Sequence, residues 1–429
     1  MAYLCQLTNK LRVVMEPMTG FRSVTAGVFV GVGSADETKD TNGLAHVIEH
    51  MLFKGTKKRT ARQIADEMTE IGGNLDAYTT KEYTCFYTQT LKDHLPAAMD
   101  IISDMISNAL LSSEDLTKEL GVILEEIDMY DDDADELVHD LIQKEVWRND
   151  PIGYIISGEK ETVKNFDREA AAAFMNKYYR AENMVISIAG HFDIDETRTL
   201  LEEKFGSIRS GFSPEVKTAP QYYLSNVFRQ KPIEQMHMNL AYPCIPYGHK
   251  DRYLFTIMNN IIGGNLNSRL FQHVREDKGL SYAIYSYGSA FKQCGLFQID
   301  AAMNPEQTIQ VLEAIKEVIG SLFEKAPITE HELHLAKEQI RTELIIDTES
   351  THNHMESNGK ALICGRKTVA LEDILNAVAS VTLEQLSTFM EKYLKAVRPS
   401  ICLVGDLEQT DISRISAILD TFGKELEGI

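Results

Sequence analysis

The sequence repeats one pattern of residues after an interval of 215 positions. The stretch Phe-Met-x-Lys-Tyr stands at residues 174–178 and again at residues 389–393. Each copy is followed by an apolar run that ends in a glycine, Gly190 in the first copy and Gly405 in the second. An acidic stretch, an amphipathic helical pattern and a Phe-Gly pair then follow in both copies. This repetition predicts two halves that share one fold.

The length of 429 residues exceeds what one hydrophobic core normally supports. We therefore predict two domains, residues 1–215 and 230–429, joined by a linker at 216–229 within a stretch that carries Gly, Pro and Ser. Residues 59–72 and 94–110 have helical apolar spacing, whereas residues 81–90 and 283–302 alternate as strands do. These patterns predict an α+β fold in which each domain layers helices on a largely antiparallel sheet.

Composition excludes several classes of protein. The net charge of −21 argues against binding to nucleic acid, which requires a basic surface. No apolar run approaches the roughly 18 residues of a membrane span, and the N-terminus lacks the features of a secretory signal. Six cysteines without CxxC spacing indicate reduced thiols. We therefore expect a cytoplasmic protein that does not partner a membrane.

The stretch His46-Val-Ile-Glu49-His50 is typical of a metal site. It falls in a predicted helix from Leu44 to Phe53, where positions four apart lie on one face, so both imidazoles can reach one cation. Glu49 flanks that face and can deprotonate a bound water without being a ligand. The alternative is a helix surface with two solvated histidines, but the other residues of this helix are too apolar to lie wholly in solvent. We predict zinc, which needs one further ligand.

The third ligand is expected on another helix, for which residues 115–130 are the candidate. This segment carries Glu119 and the adjacent pair Glu125 and Glu126. Adjacent helical residues point about 100° apart, so one member of the pair can face the metal while the other faces elsewhere. Spacing alone does not choose between them.

These motifs resemble the pitrilysin, insulinase and mitochondrial-processing-peptidase family, in its shorter two-domain branch. The HxxEH order is that of the inverzincins, the reverse of HExxH. The resemblance implies that Glu126, 76 residues beyond His50, completes the ligand set of one Zn²⁺ per chain. It assigns Glu119 a part in catalysis, and it gives Glu136 and Glu82 supporting positions around the ligands.

The resemblance also locates the substrate. Residues 72–84 are similar to the family's active-site edge strand, in which Asp76, Ala77 and Thr79 would bind a peptide by backbone pairing. Asp76 stands where many members have Asn. The second half lacks HxxEH and should bind no metal, but Arg275 and Tyr282 match a pair that stabilises the substrate carbonyl. The family fold implies that the chain forms half of a clamshell and pairs as a homodimer.

The predicted function is a zinc endopeptidase that hydrolyses peptides or unfolded segments, with Glu49 as the general base. Two alternatives remain open. One is a non-catalytic partner subunit, although such relatives typically lose part of the motif that is complete here. The other is a zinc hydrolase of a non-peptide amide, which the residues do not exclude.

Overall fold

The computed structural model describes residues 2–213, 215, 217–395 and 397–423, which fold into two compact units. Unit 1 comprises Met1–Asp128, Tyr154–Val216 and Ile345–Ala370, and unit 2 comprises Met129–Gly153, Lys217–Leu344 and Leu371–Ile429. Each unit thus contains one segment from the other half of the chain. The domain boundaries 1–215 and 230–429, which were inferred from the sequence repeat, stay a prediction.

Unit 1 contains a six-stranded sheet with the order β1-β2-β6-β3-β5-β4. Its strands are β1 Tyr3–Gln6, β2 Arg12–Pro17, β3 Ser23–Val30, β4 Asn74–Thr79, β5 Thr84–Leu91 and β6 Met184–Gly190. All neighbours are antiparallel except β2 and β6. The central strands β3 and β6 are nearly continuous apolar runs because both of their faces are buried. Strand β4 forms one edge and, of the strands that the structure describes, pairs with β5 alone.

Apart from α12, the helices of unit 1 bury apolar side chains in the core that lies against this sheet. They are α1 Leu44–Leu52, α2 Ala61–Glu70, α3 Leu95–Asn108, α4 Ser113–Asp132, α6 Lys160–Val163, α7 Arg168–Tyr178, α8 Ile194–Phe205 and α12 Thr351–Ile363. Helix α4 continues past Asp128, so its last residues belong to unit 2.

Unit 2 repeats this sheet in the order β7-β11-β8-β10-β9, and its described residues form no counterpart of β1. Its strands are β7 Asn226–Gln230, β8 Met236–Cys244, β9 Ala283–Ala290, β10 Gly295–Met303 and β11 Ser400–Gly405. The parallel pair recurs at the same place, between β7 and β11. Gly190 and Gly405 end equivalent strands, and both have positive φ. The prediction of two α+β halves with one fold is therefore confirmed.

Apart from α5, the helices of unit 2 bury apolar side chains in the core that lies against its sheet. They are α5 Ala134–Val146, α9 Arg252–Ile262, α10 Thr308–Ser321, α11 Glu330–Asp347, α13 Leu371–Ser380, α14 Leu383–Met390 and α15 Ile412–Leu419. Two π-helical segments, Phe271–Asp277 and Glu391–Lys395, complete the unit. In the part of the chain that the structure describes, no helix combines the length and the apolar character needed to cross a membrane.

The exchanged segments cover the remaining face of each sheet. In unit 1, Met355 of α12 packs with Val14, Phe29 and Val185 of the sheet, and its carbonyl accepts a hydrogen bond of 2.7 Å from Ser187 Oγ. In unit 2, α5 lies on β8 and β11. Strands that are apolar on both faces require a cover on each, which explains why both units recruit a helix.

The helices and strands predicted from the sequence can be compared with those of the structure. The helices predicted at 59–72 and 94–110 are present as α2 and α3, and the strand predicted at 81–90 is β5. The alternating region 283–302 forms two strands, β9 and β10, which turn around residues 291–294. The last residues of the predicted linker 216–229 belong to strand β7. All six cysteines are unbridged.

Candidate metal centre

Helix α1 presents the motif because its apolar residues bind it to the core. Val47, Ile48, Met51 and Leu52 are fully or almost fully buried. The remaining face carries His46, Glu49 and His50, which are only partly buried. The 3.6-residue periodicity of the helix thus separates the anchoring residues from the chemical ones.

Glu126 of α4 meets the two histidines. His46, His50 and Glu126 each offer one ligand atom, and these atoms all lie within 4.8 Å of one another. Glu126 Oε2 is 3.8 Å from His46 Nε2 and 3.7 Å from His50 Nε2. Glu125 is exposed. The geometry therefore resolves the choice that helical spacing left open between the adjacent glutamates.

The donor set fits zinc. Glu126 Oε2 is buried and has no hydrogen-bond partner among the described residues, although two imidazole nitrogens face it. An orphaned carboxylate oxygen in this position is expected where a cation supplies the missing interaction. Two imidazoles and one carboxylate match the ligands that hydrolytic zinc sites use, and they leave a fourth position open. Within the described ranges, no other group of three possible ligands converges in this way.

Glu119 lies behind His50. Its Oε2 is 3.2 Å from His50 Nδ1, and its Oε1 is 2.7 Å from Lys54 Nζ. A carboxylate that accepts a hydrogen bond from Nδ1 fixes the tautomer of the imidazole and leaves Nε2 free for a metal. The structure thus places Glu119 where it can orient a ligand. Lys54 was missed by the sequence analysis, and its position four residues after His50 was the available signal.

Glu49 is held by the edge strand. Thr79 Oγ1 of β4 donates a hydrogen bond of 2.5 Å to Glu49 Oε2. Burial raises the pKa of Glu49, and the bond from Thr79 opposes that rise. Burial and the neighbouring His50 lower the pKa of His46 to about 4, so this imidazole is neutral at neutral pH, as a metal ligand must be.

The other residues predicted to bind substrate on β4 lie beside the site. Ala77 packs against the core on the same face as Thr79, whereas Asp76 points to the opposite face, as strand alternation requires. The Tyr87 hydroxyl donates a hydrogen bond of 3.2 Å to Asp76 Oδ2. Among the described strands β4 pairs with β5 alone, so its outer edge has no strand partner within that part of the chain.

The roles of the remaining predicted residues stay predictions. Glu82 lies in the turn between β4 and β5, and Glu136 is exposed on α5 of unit 2. Arg275 belongs to a π-helical segment of unit 2, where its guanidinium stacks on Phe271 at 4.8 Å from the ring centroid. Tyr282 is 61% exposed and its N–H donates to the Ala302 carbonyl at 2.9 Å.

Comparison with known proteins identifies the family. The model for insulinase (peptidase family M16) matches residues 12–160, and the model for the peptidase M16 inactive domain matches residues 165–340. The uncharacterized zinc protease YmxG of Bacillus subtilis is 38% identical over 404 residues, which cover 93% of this chain and 98% of that protein. This chain belongs to peptidase family M16. The family predicted from the motifs is confirmed.

One further relative and two solved structures are similar to almost the whole chain. The uncharacterized zinc protease SCO5738 of Streptomyces coelicolor is 34% identical over 95% of this chain and 90% of its own. A protease from Helicobacter pylori shares the fold with a TM-score of 0.88 at 19% identity, over 94% of this chain and 99% of that one. A chain of complex III from Candida albicans has a TM-score of 0.86 at 19% identity, over 97% and 99%. The fold of this chain is therefore shared with solved structures over almost its whole length.

Proposed function

We propose that this M16 protein is a zinc-dependent endopeptidase that hydrolyses peptides or unfolded polypeptide segments. The observation that carries the proposal is the convergence of His46, His50 and Glu126 around the orphaned oxygen Glu126 Oε2. Glu49 lies on the same helical face and is anchored to the edge strand through Thr79. The zinc proteases among its relatives support the same activity class.

His46, His50 and Glu126 would hold one Zn²⁺ per chain. When bound, the ion would polarise the scissile carbonyl and acidify a water molecule. Glu49 would accept the proton of the attacking water and deliver it to the leaving amine. Glu119, which is paired with Lys54, would keep His50 in the tautomer that a ligand needs.

The free edge of β4 supports a peptide substrate. An extended chain that adds to this edge would be held mainly through its backbone, with little demand on sequence. Thr79 links the edge to Glu49, so the same strand would position both the substrate and the base. We further propose that Arg275 and Tyr282 bind the substrate carbonyl, and that the protein acts as a cytoplasmic homodimer, as the family resemblance implies.

Two other functions remain as alternatives. One is a non-catalytic subunit of the same fold, a fold that a chain of complex III also has at 19% identity. The complete set of His46, Glu49, His50 and Glu126 favours the enzyme, because a purely structural subunit has no need for a buried oxygen without a partner. Hydrolysis of a small amide would use the same groups, and the substrate assay below separates it from peptidase activity.

The test combines metal content with cleavage of a quenched peptide library. The wild type should bind one zinc and cleave peptides, whereas Glu49→Gln should bind zinc and cleave at least about 100-fold more slowly. Glu126→Gln should lose zinc, and Glu125→Gln is the matched control because this neighbour is exposed on the same helix. A wild type without zinc, or a Glu49→Gln variant of normal rate, would overturn the mechanism. Cleavage of small amides but of no peptide would favour the second alternative.

A further inference from the structure

Glu37 is a buried carboxylate at the start of the motif helix. It is 3% exposed, and both of its oxygens accept hydrogen bonds. Oε2 accepts from the Gly43 N–H at 2.8 Å and from Asn42 Nδ2 at 2.9 Å. Oε1 accepts from the Ala45 N–H at 2.7 Å. Ala45 directly precedes His46, so this carboxylate contacts the helix backbone one residue before a predicted ligand.

Helix α1 needs this external acceptor because its own N-cap residue has none. The N-cap is Gly43, whose φ of 102° lies in the left-handed region. A Cβ there would come within 2.9 Å of the Ser157 carbonyl oxygen, so a capping Ser or Asp does not fit. The first N–H groups of a helix lack internal partners, and burying them unpaired is costly. Glu37 supplies the cap from six residues upstream.

A negative charge suits this position. The N-terminal end of a helix carries a partial positive charge, and a carboxylate there is stabilising. Burial raises the pKa of Glu37 to about 7, and the three hydrogen bonds oppose that rise. The side chain of Asn42, which donates to Glu37, also donates to the Ile155 carbonyl at 2.9 Å. Glu37 therefore joins the helix start to the loop that packs against it.

We propose that Glu37 is a positioning residue that fixes the first turn of α1 and thereby directs His46 towards the oxygen of Glu126. The inference rests on the proposed metal site. His46 is the third residue of the helix, inside the turn that the Glu37 carboxylate holds. A shift of this turn would move His46 relative to Glu126, which belongs to a different helix.

A control separates positioning from ordinary stabilisation. Asp193 caps α8 of the same unit, where its Oδ1 accepts from the Glu196 N–H at 2.9 Å. Helix α8 carries none of the site residues. Asp193→Ala thus removes a helix cap without touching the site, and Glu37→Gln removes one that holds it. The amide of Gln cannot replace both oxygens, because its nitrogen would face another donor.

The experiment measures zinc affinity by competition with a chromogenic chelator, at a temperature where every variant is folded. Glu37→Gln should bind zinc about 10-fold or more weakly, in the range observed when residues that orient ligands are lost. Its Co²⁺-substituted form should show altered visible absorption bands. Asp193→Ala should keep its zinc affinity within about twofold of the wild type, even if its unfolding temperature falls as far as that of Glu37→Gln.

A milder variant, Asn42→Ala, allows the test if Glu37→Gln does not fold. Asn42→Ala removes one of the three donors to Glu37 and should weaken zinc binding by an intermediate factor. If the wild type binds zinc tightly and Glu37→Gln binds it equally well, the positioning role is wrong but the proposed function stands. If Glu37→Gln does not fold, equal binding by Asn42→Ala leads to the same conclusion. A wild type that binds no zinc would overturn the proposed function and this inference together.

Discussion

We predict that the stability of unit 2 depends on pH because the carboxylate of Asp300 is buried. This residue of β10 is 3% exposed, and its carboxylate accepts two hydrogen bonds of 3.1 Å from Asn239 Nδ2. The hydroxyl of Tyr287 also bonds to it, and His139 Nε2 of α5 lies 3.8 Å away. Burial is the largest cause that raises the pKa of Asp300, to about 7, and the nearby Asp135 adds to it.

The direction and size of this pH dependence follow from the linkage between proton binding and folding. Between the unfolded pKa of 3.8 and the folded value of about 7, the folded state binds the extra proton. The neutral carboxyl therefore contributes its full stability below about pH 4, and this stability is lost as the pH rises to about 7. The rise of about three pKa units corresponds to about 4 kcal/mol of unfolding free energy. Asp300→Asn, which is always neutral, should not show this loss.

The assay is urea unfolding of the wild type and Asp300→Asn between pH 4.5 and 8. Trp147 is the single tryptophan and is 1% exposed directly after α5, so its fluorescence reports on unit 2. The stability of Asp300→Asn relative to the wild type should improve by several kcal/mol as the pH rises. Titrating groups that do not interact with Asp300, including the buried Glu37, are present in both proteins and largely cancel. A difference that is constant across this range would refute the argument from burial.

Two further predictions concern the metal centre. Lys54→Met removes the 2.7 Å ion pair to Glu119, so the orientation of His50 should relax and zinc affinity should fall by about 3- to 10-fold, while Lys54→Arg should retain most of it. Equal affinity in chelator competition for Lys54→Met would show that Glu119 needs no cation. Thr79→Val deletes the hydrogen bond to Glu49 at nearly constant volume, and kcat/KM for peptides should fall by about 10-fold with zinc affinity unchanged. An unchanged kcat/KM would remove Thr79 from the set that positions the base.

Features encoded locally were predictable. The HxxEH spacing placed His46, Glu49 and His50 on one face of α1, since that depends only on helical geometry. The repeat predicted two similar folds, because equivalent strands need equivalent apolar runs. Glu126 was different: helical spacing could not separate it from Glu125, and only a family resemblance or the packed structure makes that choice.

Features that depend on tertiary packing were not predictable. Helical periodicity shows that α5 and α12 have an apolar side, but it does not say which sheet that side will meet. The sequence did not predict the role of Glu37, because helix-cap motifs are recognised at the N-cap residue itself. This carboxylate lies six residues before the N-cap of α1 and accepts from the Ala45 N–H only in the folded chain. Its partners become neighbours only when the chain folds.

The exchange of α5 and α12 has a consequence for synthesis of the chain. Residues 351–363, which cover Val14, Phe29 and Val185, leave the ribosome long after the strands that carry these side chains. Until then the newly made first half exposes an apolar sheet face, a condition that invites aggregation or capture by chaperones. Neither half expressed alone contains a complete unit, so separated halves should become soluble only when they are produced together.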